Sequence, residues 1–352
     1  ITITKMSNMR INRVTFNKNI FLKYTKIVDV RSENEFAEDH IPSSINLPVL
    51  NNKERTIIGT QYKENSFEAR KQGAALINNN ISKIIKKDLF NKKDKILIYC
   101  WRGGLRSLSL YLVLKQIGFD VEILEDGYKS YRRHVVQFFE DEIEQFNFNQ
   151  IKGVTGVGKT LFLKILEKST QVLDLEGIAN HKGSILGDIP KFKQPNQKMF
   201  ETKLFEKLES LNRKKKIWVE AESIKIGKLN IPSRLWKKMD EGISVKLKAT
   251  VNERVKFILK DYKYFTKEPE LMSNAMLVLK KIIRKDDYRV IEENLKNGDY
   301  MSFVKSLINH HYDKAYKKTR SEMDDQNDNV IEIDKINNKN FLNIIKNNKI
   351  FT

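Results

Sequence analysis

Two glycine-containing loops carry the residue types that could do chemistry. The first is Tyr99-Cys100-Trp101-Arg102-Gly103-Gly104-Leu105-Arg106-Ser107, which holds the only cysteine of the chain. A thiol at the mouth of a turn that opens a helix lies near backbone N–H groups, a helix N-terminus and two guanidinium groups, and all three favour thiolate over thiol. Where Gly103 and Gly104 let the backbone curl, the same loop suits an anion. A lone cysteine is more often a small buried hydrophobe. Here the surroundings predict a nucleophile, Cys100, with Arg102 and Arg106 holding an anion and Trp101, Gly103, Gly104, Leu105 and Ser107 completing the loop.

The second loop, Gly153-Val154-Thr155-Gly156-Val157-Gly158-Lys159-Thr160, fits G-x-x-x-x-G-K-[ST]. Its glycines let N–H groups wrap a diphosphate, Lys159 adds charge, and Thr160 can reach Mg²⁺. Gly153, Thr155, Gly156, Val157, Gly158, Lys159 and Thr160 are therefore the expected diphosphate site, and nothing in them specifies a nucleotide. Candidate catalytic or metal-side groups are Asp174 and Glu176 in VLDLEG, Glu220 and Glu222 in IWVEAES, and His181 in His181-Lys182-Gly183-Ser184. Neither acidic run has the apolar strand ending in Asp of an ordinary nucleotide hydrolase.

Each loop needs a strand before it and a helix after it. Lys95–Tyr99 (KILIY) and Phe148–Lys152 read as the strands, Leu105–Ile117 and Lys159–Lys168 as the helices. Further strands are expected at Lys26–Val30, Ile45–Val49 and Val121–Leu124, with a helix over Arg31–Asp39 opened by a Ser32/Glu35 capping box. Ser66–Leu89 reads as a helix broken near Asn78–Asn80, Tyr128–Glu144 as a helix, and Asn51–Asn65 as a polar insertion without assigned form. Strands alternating with helices define an α/β class with mostly parallel sheets. From Asn196 the chain is mainly helical and charged: Gln197–Leu211 is a helix, Val245–Thr250 a strand before a helix start at Val251–Arg254, and Val330–Ile333 a last strand.

A length of 352 residues fits two or three domains, and a short junction near Gln145–Asn149 sets them at 1–140 and 146–352. One cysteine excludes an internal disulfide and a cysteine-rich zinc site and suggests a reducing compartment. No apolar stretch is long enough to span a bilayer and the first residues lack a signal-peptide core, so a cytoplasmic protein with no membrane partner is expected. A net charge of +20 points to a polyanion, nucleic acid before membrane. Basic clusters at Arg213–Lys216, Lys237-Lys238, Lys280-Lys281, Arg284-Lys285 and Lys317-Lys318 lie among Tyr262, Tyr264, Tyr288, Tyr312 and Tyr316, which could stack on loop bases of an RNA.

Asp29-Val30-Arg31-Ser32-Glu33-Asn34-Glu35-Phe36, His40-Ile41-Pro42 and Ile45-Asn46-Leu47-Pro48 resemble the first signature of rhodanese domains. Glu125-Asp126-Gly127-Tyr128 resembles their closing segment, and Cys100 falls at their catalytic cysteine. The five residues between Cys100 and Arg106 make the loop resemble the C-x5-R loop of rhodanese-fold phosphatases, which holds a tetrahedral phosphate. A rhodanese-like domain with a parallel sheet, followed by a P-loop NTPase-like α/β domain with helical, basic additions, resembles the bacterial tRNA 2-selenouridine synthases. Asp174-Leu175-Glu176-Gly177, His181-Lys182-Gly183-Ser184, Glu220-Ala221-Glu222-Ser223 with Ile226-Gly227, and Tyr312-Asp313 with Tyr316 agree with that family.

The resemblance implies a transferase acting at the wobble uridine in the anticodon arm of tRNA. Geranyl diphosphate would alkylate the sulfur of 2-thiouridine, and selenium from selenophosphate would then replace the S-geranyl group. Both are substrates, Mg²⁺ is an optional helper, no prosthetic group is implied, and a selenophosphate-supplying enzyme is an expected partner. The residues leave two other classes open: a rhodanese-type sulfurtransferase or phosphatase fused to an ATP/GTP-binding domain, and a non-enzymatic RNA-binding module.

Overall fold

The computed structural model describes residues 11–184, 187–189, 192–263, 269–319 and 329–351. The chain divides into two compact units, Ile1–Phe138 and Phe139–Thr352, each built on its own five-stranded sheet. Among the described residues no helix is long and apolar enough to cross a membrane.

In the first unit the strands are β1 (Arg13–Val14), β2 (Lys26–Asp29), β3 (Ile45–Asn46), β4 (Lys95–Tyr99) and β5 (Asp120–Leu124), in the order β1-β5-β4-β2-β3 with every pairing parallel. β4 is the middle strand, and Ile96, Leu97, Ile98 and Tyr99 are all fully buried. That burial explains the unbroken apolar run, because helices cover both faces of a parallel sheet. Helix Leu105–Ile117 follows the cysteine loop and stops at Gly118, which takes the left-handed φ of +105°.

Two helical expectations change here. Asn51–Asn65 is an ordered helix, Asn52–Glu64, started by an Asn51/Glu54 capping box that a polar composition concealed. Helix Ser66–Lys86 runs unbroken through the asparagines, since Asn80 is buried and its amide donates to Val49 O at 3.2 Å and Glu54 Oε2 at 2.7 Å. A side chain satisfied by tertiary partners no longer competes with the helix backbone.

In the second unit the strands are β6 (Asn147–Lys152), β7 (Gln171–Leu173), β8 (Lys216–Glu220), β9 (Lys225–Ile226), β10 (Leu229–Asn230), β11 (Ser244–Ala249) and β12 (Asn329–Ile333). The main sheet is ordered β12-β11-β6-β8-β7 and wholly parallel, while β9 and β10 form a small antiparallel pair. β6, the middle strand, delivers the second glycine loop. Helix Lys159–Leu166 packs Phe162 against Phe341 and Phe351, each ring centroid 5.2 Å away.

A helical layer, Val251–Asp261, Pro269–Ile282, Lys285–Lys296 and Tyr300–Leu307, shares a core that includes Leu279, Tyr288, Ile291 and Ile308. Tyr288 is therefore a core residue and not a base-stacking platform. Arg213 is held by Glu142 and Glu209, and Lys238 by Glu144 and Glu241, so these members of the basic clusters are already paired. Tyr264 lies outside the described residues.

The signature Asp29-Val30-Arg31 forms a buried ion pair at the end of β2. Arg31 donates to Asp29 at 2.6 Å and to Asp39 O at 2.7 Å, with its guanidinium carbon 4.0 Å from the Tyr128 ring centroid. Both partners are at most 1% exposed. Removing one leaves a buried charge without compensation, so Arg31→Ala should destabilise the first unit by about 3–5 kcal/mol. Urea unfolding of the variant beside the parent measures it.

Candidate functional site

Cys100 lies at the C-terminal end of β4 and is 4% exposed. Its Sγ accepts the Gly104 N–H at 3.3 Å and lies 3.3 Å from Ser107 Oγ, which donates to Gly104 O at 3.0 Å. Leu105 is the first residue of the helix, so the sulfur faces the positive end of its dipole. The closing segment clamps the loop: Tyr128 N donates to Cys100 O at 2.8 Å and Lys129 N to Trp101 O at 3.1 Å. Gly127 has a φ of +54°, and a β-carbon there would overlap Cys100 O and lie 2.7 Å from Gly103 N. Arg13, on a strand too short to read from sequence, holds Gly103 O at 2.9 Å.

The two arginines of this loop are placed differently from each other. Arg102 is exposed. Arg106 is turned onto Glu35, with bonds of 2.7 and 3.2 Å. Burial would raise the Glu35 carboxyl, but the hydrogen bonds and charge of Arg106 outweigh it and hold the group below the usual carboxylate range. Glu35 also accepts Ser32 N at 3.1 Å, so one carboxylate serves as the helix capping box and as partner to Arg106. In this geometry the donor to the sulfur is the Gly104 N–H, since Ser107 gives its hydroxyl hydrogen to Gly104 O and Arg106 is turned onto Glu35.

The second loop begins where β6 ends. Lys159 Nζ donates to Gly153 O at 3.0 Å, and Val157 is fully buried as a core anchor. Thr160 Oγ1 donates to Glu176 Oε2 at 2.6 Å, and Glu176 N donates to Glu220 Oε1 at 2.8 Å. Glu220 ends β8 beside Ile151 of β6, and its Oε2 is buried with no hydrogen-bond partner. Gly183, with a φ of +65°, packs where a β-carbon would lie 2.8 Å from both Glu176 Oε1 and Glu222 Oε2. Asp174 is occupied otherwise, capping helix Leu175–Ala179 by accepting Gly177 N at 2.8 Å.

Burial, reinforced by Glu222, pushes the Glu176 carboxyl up to about 7, and burial with Glu176 nearby pushes Glu220 well above its ordinary value. Burial lowers His181, which is 5% exposed, so its ring is neutral near pH 7. Its Nδ1 is buried without a partner. The oxygen donors suit Mg²⁺ by type. Yet the Thr160 hydroxyl is taken by Glu176, and among the described residues no three His, Cys, Asp or Glu side chains are grouped to hold a metal ion. For Mg²⁺ to be held here beside a phosphate, Thr160 would have to release Glu176.

Three features were not read from sequence. Arg254, 3% exposed, donates to Thr155 O at 2.9 Å and to both oxygens of Asp313 at 2.9 and 2.7 Å. Lys182 reaches Asp261 at 2.6 Å and lies over the Tyr262 ring at 4.2 Å. His311 has a buried, unpartnered Nε2. The glycine loop opens into a cavity of about 960 Å³ whose lining also includes Trp236, Phe257, Ile258, Tyr262, Tyr312 and Tyr316, with Ile258 packed against Gly156 of the loop. The tyrosine-rich C-terminal segment thus lines the phosphate loop's cavity.

Fold and site together define a rhodanese-like domain joined to a P-loop domain. A family model for the rhodanese-like domain matches residues 15–134, and one for the tRNA 2-selenouridine synthase AAA domain matches residues 146–276. The chain is 30% identical over 331 residues to the tRNA 2-selenouridine synthase of Sulfurovum sp. (strain NBC37-1), covering 85% of this chain and 90% of that protein. It is 32% identical over 262 residues to the tRNA 2-selenouridine synthase of Shewanella halifaxensis (strain HAW-EB4), covering 72% and 71%. A solved rhodanese-related protein from Thermoplasma volcanium is 18% identical, with a TM-score of 0.23, over 35% of this chain and 92% of that one. The chain belongs to the tRNA 2-selenouridine synthase family.

The carboxyl cluster has a measurable consequence. Glu176 is raised in the fold from 4.5 to about 7, so the folded state binds its proton more tightly than the unfolded chain. Its contribution favours folding below the unfolded value and is lost as pH rises through the folded one. Stability of the second unit should therefore fall between about pH 5 and pH 8, and Glu176→Gln should flatten that fall. Thermal melts across the range, for parent and variant, check it.

Proposed function

We propose that the protein converts 2-thiouridine at the tRNA wobble position into 2-selenouridine through an S-geranylated intermediate. As a member of this family it is a tRNA-modifying transferase. The P-loop cavity takes geranyl diphosphate, and the Cys100 loop takes selenophosphate, a tetrahedral anion supplied by a selenophosphate-producing enzyme. Work on tRNA fits a cytoplasmic protein, and the +20 charge suits a tRNA partner.

The observation that carries the reading is the build of the P-loop cavity. Its lining joins a diphosphate cradle with Lys159 to apolar and aromatic side chains, Trp236, Phe257 and Ile258. A prenyl diphosphate needs those two surfaces together. Lys159 would leave Gly153 O for the diphosphate and neutralise charge as the allylic C–O bond breaks and the thiouridine sulfur attacks. Cys100 would act as nucleophile in the later exchange, its sulfur held by Gly104 N–H and Ser107. Arg106 sits one carboxylate away, on Glu35, and would have to release it to meet the incoming anion.

Nucleoside mass spectrometry of thiolated tRNA incubated with the protein tests this. S-geranyl-2-thiouridine should form with geranyl diphosphate alone, and 2-selenouridine only when selenophosphate is added as well. Hydrolysis of ATP or GTP with neither product formed would make the P-loop a nucleotide site and overturn the reading.

A further inference from the structure

S-alkylation of a 2-thiouracil ring has a proton balance that the residues so far placed leave open. The ring carries a hydrogen on N3. When the sulfur bonds to the allylic carbon, the C2=S pair becomes the new S–C bond, and the N3–H pair becomes the N3=C2 bond. The C–O pair leaves with the diphosphate, and one proton must be accepted. A base beside the ring in the P-loop cavity would take it as the bond forms.

His311 fills that description. It lies on a π-helical turn, Ile308–Tyr312, between helices Tyr300–Leu307 and Asp313–Thr319, and a turn of this kind is frequent at functional sites. The two histidines of the turn differ. His310 Nδ1 is paired with Asp287 at 2.6 Å, whereas His311 lines the P-loop cavity and its buried Nε2 has no partner. Nε2 itself has almost no accessible surface, so it meets a ligand once the ring rotates toward the cavity, and a buried polar atom without a partner is the reason for such a rotation. Burial also lowers its pKa, which keeps the ring neutral and able to accept a proton near pH 7. Two residues on, Asp313 is fastened to Arg254, which holds Thr155 O of the glycine loop, so the turn is registered to the diphosphate cradle.

The other histidine of the cavity is less suited. Nε2 of His181 faces Asp188 Oδ1 at 3.7 Å, and its Nδ1, also buried without a partner, lies at the edge that Gly187 packs against. Glu176 is engaged by Thr160 at the phosphate end.

We propose that His311 is the catalytic base of the prenyl-transfer step, its Nε2 taking the N3 proton of the thiouracil ring as the sulfur is alkylated. The inference rests on the reading of the P-loop cavity as the prenyl-transfer site. Parent protein, His311→Ala and His311→Gln are compared for S-geranyl product formed from thiolated tRNA, with and without added imidazole, and for binding of inorganic diphosphate by calorimetry. The expected result is a loss of about 100-fold or more in kcat for both variants, the usual range for one general base. KM for geranyl diphosphate and diphosphate binding should hold, with partial rescue of His311→Ala by imidazole. Turnover within about threefold of the parent in either variant would overturn the assignment, since a base is worth far more than that. Loss of diphosphate binding in both variants would also overturn it, making the histidine structural. If the parent forms no S-geranyl product, it is the reading of the cavity that has failed.

Discussion

Everything functional in this chain depends on one constraint of parallel sheets: the strand before a loop and the helix after it run in fixed directions. The loop at the carboxyl end of a strand therefore faces a helix N-terminus. Both chemical loops leave the middle strand of a five-stranded parallel sheet, β4 for Cys100 and β6 for Gly153–Thr160. Each receives backbone N–H groups and the positive end of a helix dipole without needing many charged side chains. The arginines bear this out. Arg106 is spent on Glu35 and Arg102 is exposed, while the contacts to the sulfur itself come from Gly104 N–H and Ser107.

The P-loop unit adds a second device, a set of carboxyls buried against one another. Glu176 and Glu220 sit where a phosphate loop usually meets a metal, but both are pushed toward the protonated form. The Thr160 hydroxyl bonds to one of them. The charge facing an incoming diphosphate is thereby lowered, and Lys159 stands in the loop that would receive it. Arg254 performs a comparable service on the other side, tying Thr155 O to Asp313 so that the C-terminal helices and the glycine loop keep one geometry.

Much of this was legible in the sequence because it is local. Strand, glycine loop and helix are contiguous in both units, and the Leu105–Ile117 helix has the bounds its apolar stripe suggested. The Ser32/Glu35 capping box was visible for the same reason. What escaped is what depends on distant partners. Glu35 read as a helix cap, and only the fold brings Arg106, 71 positions away, onto it. Arg254 and Asp313 are 59 apart, and no spacing rule links them. Tyr288 and Tyr312 looked alike as aromatic residues among basic clusters, yet one is core and the other lines the cavity. Asn78–Asn80 looked like a helix break because a buried acceptor for Asn80 cannot be seen along the chain.

The most direct test of the central claim, that the two loops carry separate steps, is a crossed experiment with Cys100→Ser and Lys159→Ala. Each is given thiolated tRNA with geranyl diphosphate, and separately pre-geranylated tRNA with selenophosphate, and the nucleosides are read by mass spectrometry. The account predicts that Cys100→Ser still geranylates but yields no 2-selenouridine. It predicts that Lys159→Ala fails to geranylate yet still converts the pre-geranylated tRNA. Loss of both steps in either variant, with the fold intact by circular dichroism, would contradict it.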